Sequence, residues 1–251
     1  MKCNPPVLFS LLLAFGLAAG SGSGLYAAVT VVDDFEAGEG HFASAPTASG
    51  SVRRVLASST ATQTFSEFLD GTASQELVIN RNTDPTAPAP AFPSGPGEWF
   101  LRHLSGGGTP ANNTPIPNTG TTWVGFWMKT SVISLQAGII IDDTNAGGNN
   151  HEISTFLPVT GDGLWHLYQF ELANPASWEV FAGAANTAGQ IDGTTVTIDS
   201  LAFIGGTGVP DSATFFVDNV TFSTDGPIPV PEPSSLAFLT LGALALGRRR
   251  R

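Results

Sequence analysis

The chain is short of cysteine and of basic side chains. Its one cysteine, Cys3, stands at the start of 251 residues, so no intrachain disulfide can form and stability must come from a packed core, with or without a metal. Lysine and arginine number 10 against 21 acids, and four of the ten are the final Arg248, Arg249, Arg250 and Arg251. So acidic a surface excludes a nucleic-acid or anionic-lipid partner. It leaves carboxylates available for a hard cation such as calcium. Before the C-terminal tail, no window of 12 or more residues reads as an amphipathic helix, and no apolar run reaches the ~20 residues that cross a bilayer. Catalytic signatures are also missing. There is no Gly-x-Ser-x-Gly elbow, and "HEIST" at 151–155 is not His-Glu-x-x-His. His41, His103, His151 and His166 lack zinc-ligand spacing and read as ordinary strand or loop residues. No glycine-rich phosphate loop leads from a strand into a helix.

Both ends look like addresses. Lys2, an apolar stretch over 7–19 and a run of small residues form a secretory signal peptide over 1–28. At the far end, Pro231, Glu232 and Pro233 precede the apolar run 236–247 and the four arginines. Twelve helical residues span only ~18 Å, against ~30 Å of hydrocarbon. The expected plan is a signal peptide at 1–28, a domain at 29–223, a Pro-rich linker at 224–233 and a tail at 234–251. Residues 29–228 alone keep 20 acids and five bases.

The body is rich in Gly, Thr, Ser, Pro and Phe, in short β-like runs between turn signals. Eleven strands are expected, at 29–36, 52–57, 62–69, 76–81, 98–104, 122–130, 137–142, 152–158, 164–172, 195–204 and 213–223. A helical turn is expected within 175–184, and long loops at 82–97 and 105–121. This pattern predicts an all-β, two-sheet sandwich.

The order Pro-Glu-Pro, apolar helix, arginine cluster resembles the PEP-CTERM sorting signal of Gram-negative bacteria. The resemblance covers 229–251. It implies export, transient inner-membrane insertion through the C-terminal helix, cleavage near Pro231, Glu232 and Pro233 by an exosortase, and delivery to the cell surface or exopolysaccharide matrix. It says nothing of the body's chemistry.

In the body, "VDDFEAGEG" (32–40) and "FFVDNVTFS" (215–223) resemble the first and last strands of jelly-roll carbohydrate-binding and galactose-binding-like modules. The resemblance implies that these strands lie side by side with a structural Ca²⁺ between them, on Glu36 and Asp218, with Asp34 a further ligand. Period-two alternation puts Phe216, Val220 and Phe222 on one face with Asp218 among them. A carboxylate there needs a cation, backbone N–H donors or solvent; without a cation, Asp218 and Asn219 are turn and edge residues.

Of five tryptophans, Trp123 and Trp127 share one face of their strand while Val124, Phe126 and Met128 take the other. The tryptophan face is either covered by a loop or open as a platform for sugar rings. Trp165 and Trp178 are expected in the core, with Trp99 anchoring the Pro-rich loop. The functional expectation is a non-catalytic, structural or polysaccharide-associated protein. The alternative is a glycan-degrading hydrolase or lyase drawing carboxylates from Asp142, Asp143 and Glu152, which would need two of them ~5–9.5 Å apart.

Overall fold

The computed structural model describes residues 27–88, 97–143, 150–182 and 189–230. The N-terminal signal helix and C-terminal apolar helix expected from the sequence, and with them Pro231, Glu232, Pro233 and Arg248 to Arg251, lie outside the described residues. Among those residues, no helix is long and apolar enough to cross a membrane.

Thirteen strands are described: β1 (Val29–Asp33), β2 (Thr60–Thr64), β3 (Ser74–Asn80), β4 (Gly97–Leu104), β5 (Ile116–Pro117), β6 (Trp123–Lys129), β7 (Leu135–Asp143), β8 (His151–Ser154), β9 (Leu157–Pro158), β10 (Trp165–Glu171), β11 (Trp178–Ala182), β12 (Thr195–Gly206) and β13 (Ser212–Ser223). They form two antiparallel sheets. Sheet A runs β10-β6-β13-β3-β2, with β1 also on β13; sheet B runs β11-β8-β7-β12-β4, with β5 on β12 and β9 on β7. The first and last strands pair, Val29 opposite Ser223. The protein is a jelly-roll-like β-sandwich.

Alternation builds the core. Val124, Phe126 and Met128 of β6 point inward and are fully or almost fully buried. Phe203 of β12 bridges the sheets, 5.8 Å from Phe126 and 4.7 Å from Phe215 between ring centroids. Trp99 is fully buried in this core. Its ring lies against Gly205, where any side chain would collide with it.

The two 12-residue central strands share a device that plain alternation misses. In β13 the register slips between Asp218 and Thr221, with Asn219 in the left-handed region at φ 44°. The bulge shifts the inward set from Ala213, Phe215 and Val217 to Val220 and Phe222. Phe216 therefore does not share a face with Val220 and Phe222, contrary to the periodicity reading. In β12 the register slips between Ile198 and Ser200. Val196 and Ile198 before it, and Leu201 and Phe203 after it, all remain in the core. Each bulge carries an aspartate, Asp218 and Asp199.

Other differences are local. Residues 52–57 make only isolated bridges, Arg53 to Phe100 and Val55 to Arg81. The expected 62–69 strand ends at Thr64, and the run 152–158 is split into β8 and β9. The segment 175–184 holds the expected turn at Pro175–Ser177, then continues as β11. Trp178 is in the core, but Trp165 is not. It sits opposite Lys129 on the outer side of β10, out of phase with the inward Tyr168 and Phe170.

The ordered packing also runs past residue 223. Thr224 O accepts hydrogen bonds from the Thr119 and Thr121 hydroxyls. Ile228 N donates to Gln169 Oε1 at 2.7 Å, and Ile228 is 4% exposed. The linker begins as a strap lying on sheet A.

Candidate functional site

The outer side of sheet A carries Trp123 and Trp127, each half-buried. Cross-strand, Trp127 stands opposite Leu167 and Trp123 opposite Glu171, with the Gln169 row between them. Gln169 holds Ile228 of the strap, its Oε1 accepting from Ile228 N at 2.7 Å. Trp127 alone lines a groove of about 450 Å³, shared with Val29, Val31, Asp70, Asn219 and Ile228. One aromatic wall in a mainly apolar lining, with the Asp70 carboxylate, the Asn219 amide and the Thr221 hydroxyl as its polar groups, is the make-up of a small-ligand site. Trp123 shares the outer face of β6 with Trp127 but is not among the residues that line this groove.

Glu36 and Asp218 converge on one loop, residues 65–73. Glu36 Oε1 accepts from the N–H of Thr72 and of Ala73 at 2.7 and 2.9 Å, and Oε2 accepts from the Thr72 hydroxyl at 2.7 Å. These bonds hold the Glu36 carboxyl below its ordinary range. Asp218 Oδ2 accepts from Leu69 N at 2.8 Å and Oδ1 from Asn219 N at 2.7 Å. Burial, and to a lesser degree the Glu36 charge, push Asp218 up to about 6. The two carboxylates staple the loop. Asp34 is exposed and caps Glu36 N through Oδ1 at 3.2 Å.

The outer side of sheet B holds a set the sequence reading passed over. The bulge at Asp199 turns its carboxylate outward, where Arg102 of β4 grips it with two N–H donors, at 2.9 and 2.6 Å. His151 Nε2 lies 2.7 Å from Asp142 Oδ1 and 3.4 Å from Asp199 Oδ1. Burial pulls His151 down, but the two hydrogen-bonding carboxylates outweigh it and raise it to about 9. Two cations thus face two anions. Asp199 is fully buried, and Arg102 also stacks over the Phe181 ring, 5.2 Å from its centroid. The signal was present in the sequence: an aspartate inside an apolar strand, at the point where Val196 and Ile198 give way to Leu201 and Phe203.

Asp142, Asp143 and Glu152 do not form one carboxylate site. Asp142 points to the outer side of sheet B, into the His151 network. Asp143 and Glu152 point inward, because Asp143 continues the Ile139 and Ile141 face and Glu152 pairs with Ile141. All three are 3% exposed or less. Burial first, then the Asp143 charge, push Glu152 up to about 7. The carboxylates offered for hydrolysis are thus divided between two faces of sheet B.

The family of the PEP-CTERM protein-sorting motif matches residues 229–251. That segment is a sorting signal of an exported protein handled by an exosortase. A search of curated proteins found no match. Among solved structures, the chain is similar to the family 11 carbohydrate-binding module of the cellulosomal cellulase Lic26A-Cel5E of Clostridium thermocellum. The identity is 13%, over 82% of this chain and 99% of that one, at a TM-score of 0.41. It is also similar to a mutant of a carbohydrate binding module family 29, at 9% identity over 82% of this chain and 99% of that one, with a TM-score of 0.33. The strand order given above, not these likenesses, carries the fold assignment.

Proposed function

We propose that the protein is a non-catalytic component of the surface or extracellular matrix of a Gram-negative cell. In this reading it is held briefly in the inner membrane by its tail, cut beside Pro231, Glu232 and Pro233, and then associates with polysaccharide through the outer side of sheet A. The observation that supports sugar association is the Trp127 groove. Its indole stands beside polar groups, and it is about 450 Å³ in volume, within the range of small-ligand sites.

The test is retardation of the purified protein by extracellular polysaccharide from the producing cells, in affinity electrophoresis. Trp127→Ala weakens retention by about tenfold, equivalent to ~1.4 kcal/mol. Trp123→Ala, outside the groove, weakens it less. Both variants keep the wild-type thermal midpoint to within a few degrees, because both indoles are already half in solvent. Equal retention of wild type and Trp127→Ala would remove the groove from the account.

Calcium at Glu36 and Asp218 is a second part of the proposal. The pair fits a hard cation in one respect: two carboxylates converge, and neither makes an ion pair among the described residues. Glu36 Oε2 keeps a further lone pair beside its bond from the Thr72 hydroxyl, whereas Oε1 already accepts two N–H groups. Chelation with EDTA lowers the thermal midpoint if an ion adds to the staple. An unchanged midpoint leaves Glu36 and Asp218 as hydrogen-bonding anchors only.

A further inference from the structure

The inner rim of sheet B has an unanswered polar requirement. Asp143 ends β7 and Glu152 is the second residue of β8. They are 3% and 1% exposed. As diagonal neighbours on one face, their backbones stand ~7–8 Å apart, close enough for both carboxylates to reach a point between them. Asp143 Oδ2 accepts the Asp192 N–H at 2.7 Å. Asp143 Oδ1 and Glu152 Oε2 have no hydrogen-bond partner among the described residues. No lysine or arginine is paired with either among the described residues; both members of the Arg102 and His151 network lie on the opposite side of the sheet.

The surroundings are shaped around the free oxygen. A side chain at Gly193 would collide with Asp143 Oδ1 and would stand 3.2 Å from the Thr195 carbonyl oxygen. Only glycine leaves that space open between a carboxylate and a carbonyl. Asp192 is exposed beside it and its charge acts on Glu152. Buried orphan acceptors of like charge need either a proton between them or a cation.

We propose that Asp143 and Glu152 bind one hard divalent cation, of the calcium class, at this rim, with Asp192 at its mouth. All donors are oxygens. That set suits calcium, which tolerates irregular coordination completed by water and carbonyls, rather than zinc. The site is separate from Glu36 and Asp218, which belong to sheet A and its loop.

The experiment is calorimetric titration of CaCl₂ into the EDTA-stripped full-length protein at pH 7.5, in an Asp218→Asn background that disables the other carboxylate pair. One equivalent binds in that background. Adding Asp192→Asn, a change at an exposed side chain, weakens binding by about tenfold. Adding Glu152→Gln abolishes it, while the metal-free thermal midpoint stays the same or rises because a like charge is gone. The proposal fails if the background variant takes up no calcium, in which case the two carboxylates share a proton. It fails equally if calcium binds unchanged with Glu152→Gln or Asp192→Asn in place.

Discussion

Replacing Arg102 with methionine lowers the unfolding free energy by about 3–5 kcal/mol in urea denaturation. The cost is not the loss of one ion pair. Asp199 is fully buried, and Arg102 supplies two of its hydrogen bonds. Without the guanidinium, the carboxylate keeps its bond to Ser200 Oγ at 2.7 Å and the more distant His151. A buried anion stripped of its main partner retains most of its desolvation penalty. Methionine fills a similar volume over Phe181, so packing loss contributes little. Arg81 is the internal control. Its partners Glu98 and Asp211 are 32% and 70% exposed, and Arg81→Met costs about 1 kcal/mol or less. Equal effects at the two arginines would mean that the sheet B network is not a buried one.

Raising the pH from 6.5 to 9 removes up to about 3 kcal/mol of stability, and His151→Gln removes that slope. The sign follows from linkage. In the native state His151 holds its proton up to about 9, against 6.5 for the free side chain. The native state therefore binds more protons than the unfolded chain across this window. The stabilisation is complete below 6.5 and is lost as the pH rises through 9. A shift of ~2.5 units corresponds to ~3 kcal/mol, and the side chain is only 12% exposed, so solvent screening is small. Glu152 and Asp218, raised to about 7 and about 6, give slopes of the same sign at lower pH. Theirs begin near the free carboxylate values and end by about 7, so the alkaline part of the curve belongs to His151. Urea midpoints at pH 6.5, 7.5 and 9.5 separate the contributions. A wild-type curve that is flat above pH 7 would show that His151 is not held charged by Asp142 and Asp199.

Much of the fold was legible because its strands obey a period of two. "TWVGFWMKT" separates Val124, Phe126 and Met128 from the two tryptophans by alternation alone, and the structure keeps that separation. The pairing of the first and last strands was legible from "VDDFE" and "FFVDNVTFS". What was not legible came from breaks in the period. Bulges at Asp199 and Asn219 insert one residue each, and a strict alternation then puts Phe216 with Val220. Trp165, expected in the core, points outward because its phase is opposite to that of Tyr168 and Phe170. β11 was hidden because "PAS" begins a turn and "WEVFA" is short. The Arg102, Asp142, His151 and Asp199 network joins four strands, β4, β7, β8 and β12, and only sheet order brings them within hydrogen-bonding distance. The strap escaped notice because "TDGPIPV" has the composition of a free linker, while Ile228 is in fact buried beside Gln169.

That strap also ties the sorting signal to the body. Ile228, the last buried residue among those described, is three positions before Pro231, a reach of at most ~10 Å. A cut near Pro231, Glu232 and Pro233 would leave intact the groove lining found among the described residues, the last of which is Pro229.

The most direct measurement is the intact mass of the protein recovered from the cell surface. The account predicts a chain that begins near residue 28 and ends close to Pro231, Glu232 and Pro233, with all four terminal arginines gone. A surface population whose mass still includes Arg248 to Arg251 would contradict it.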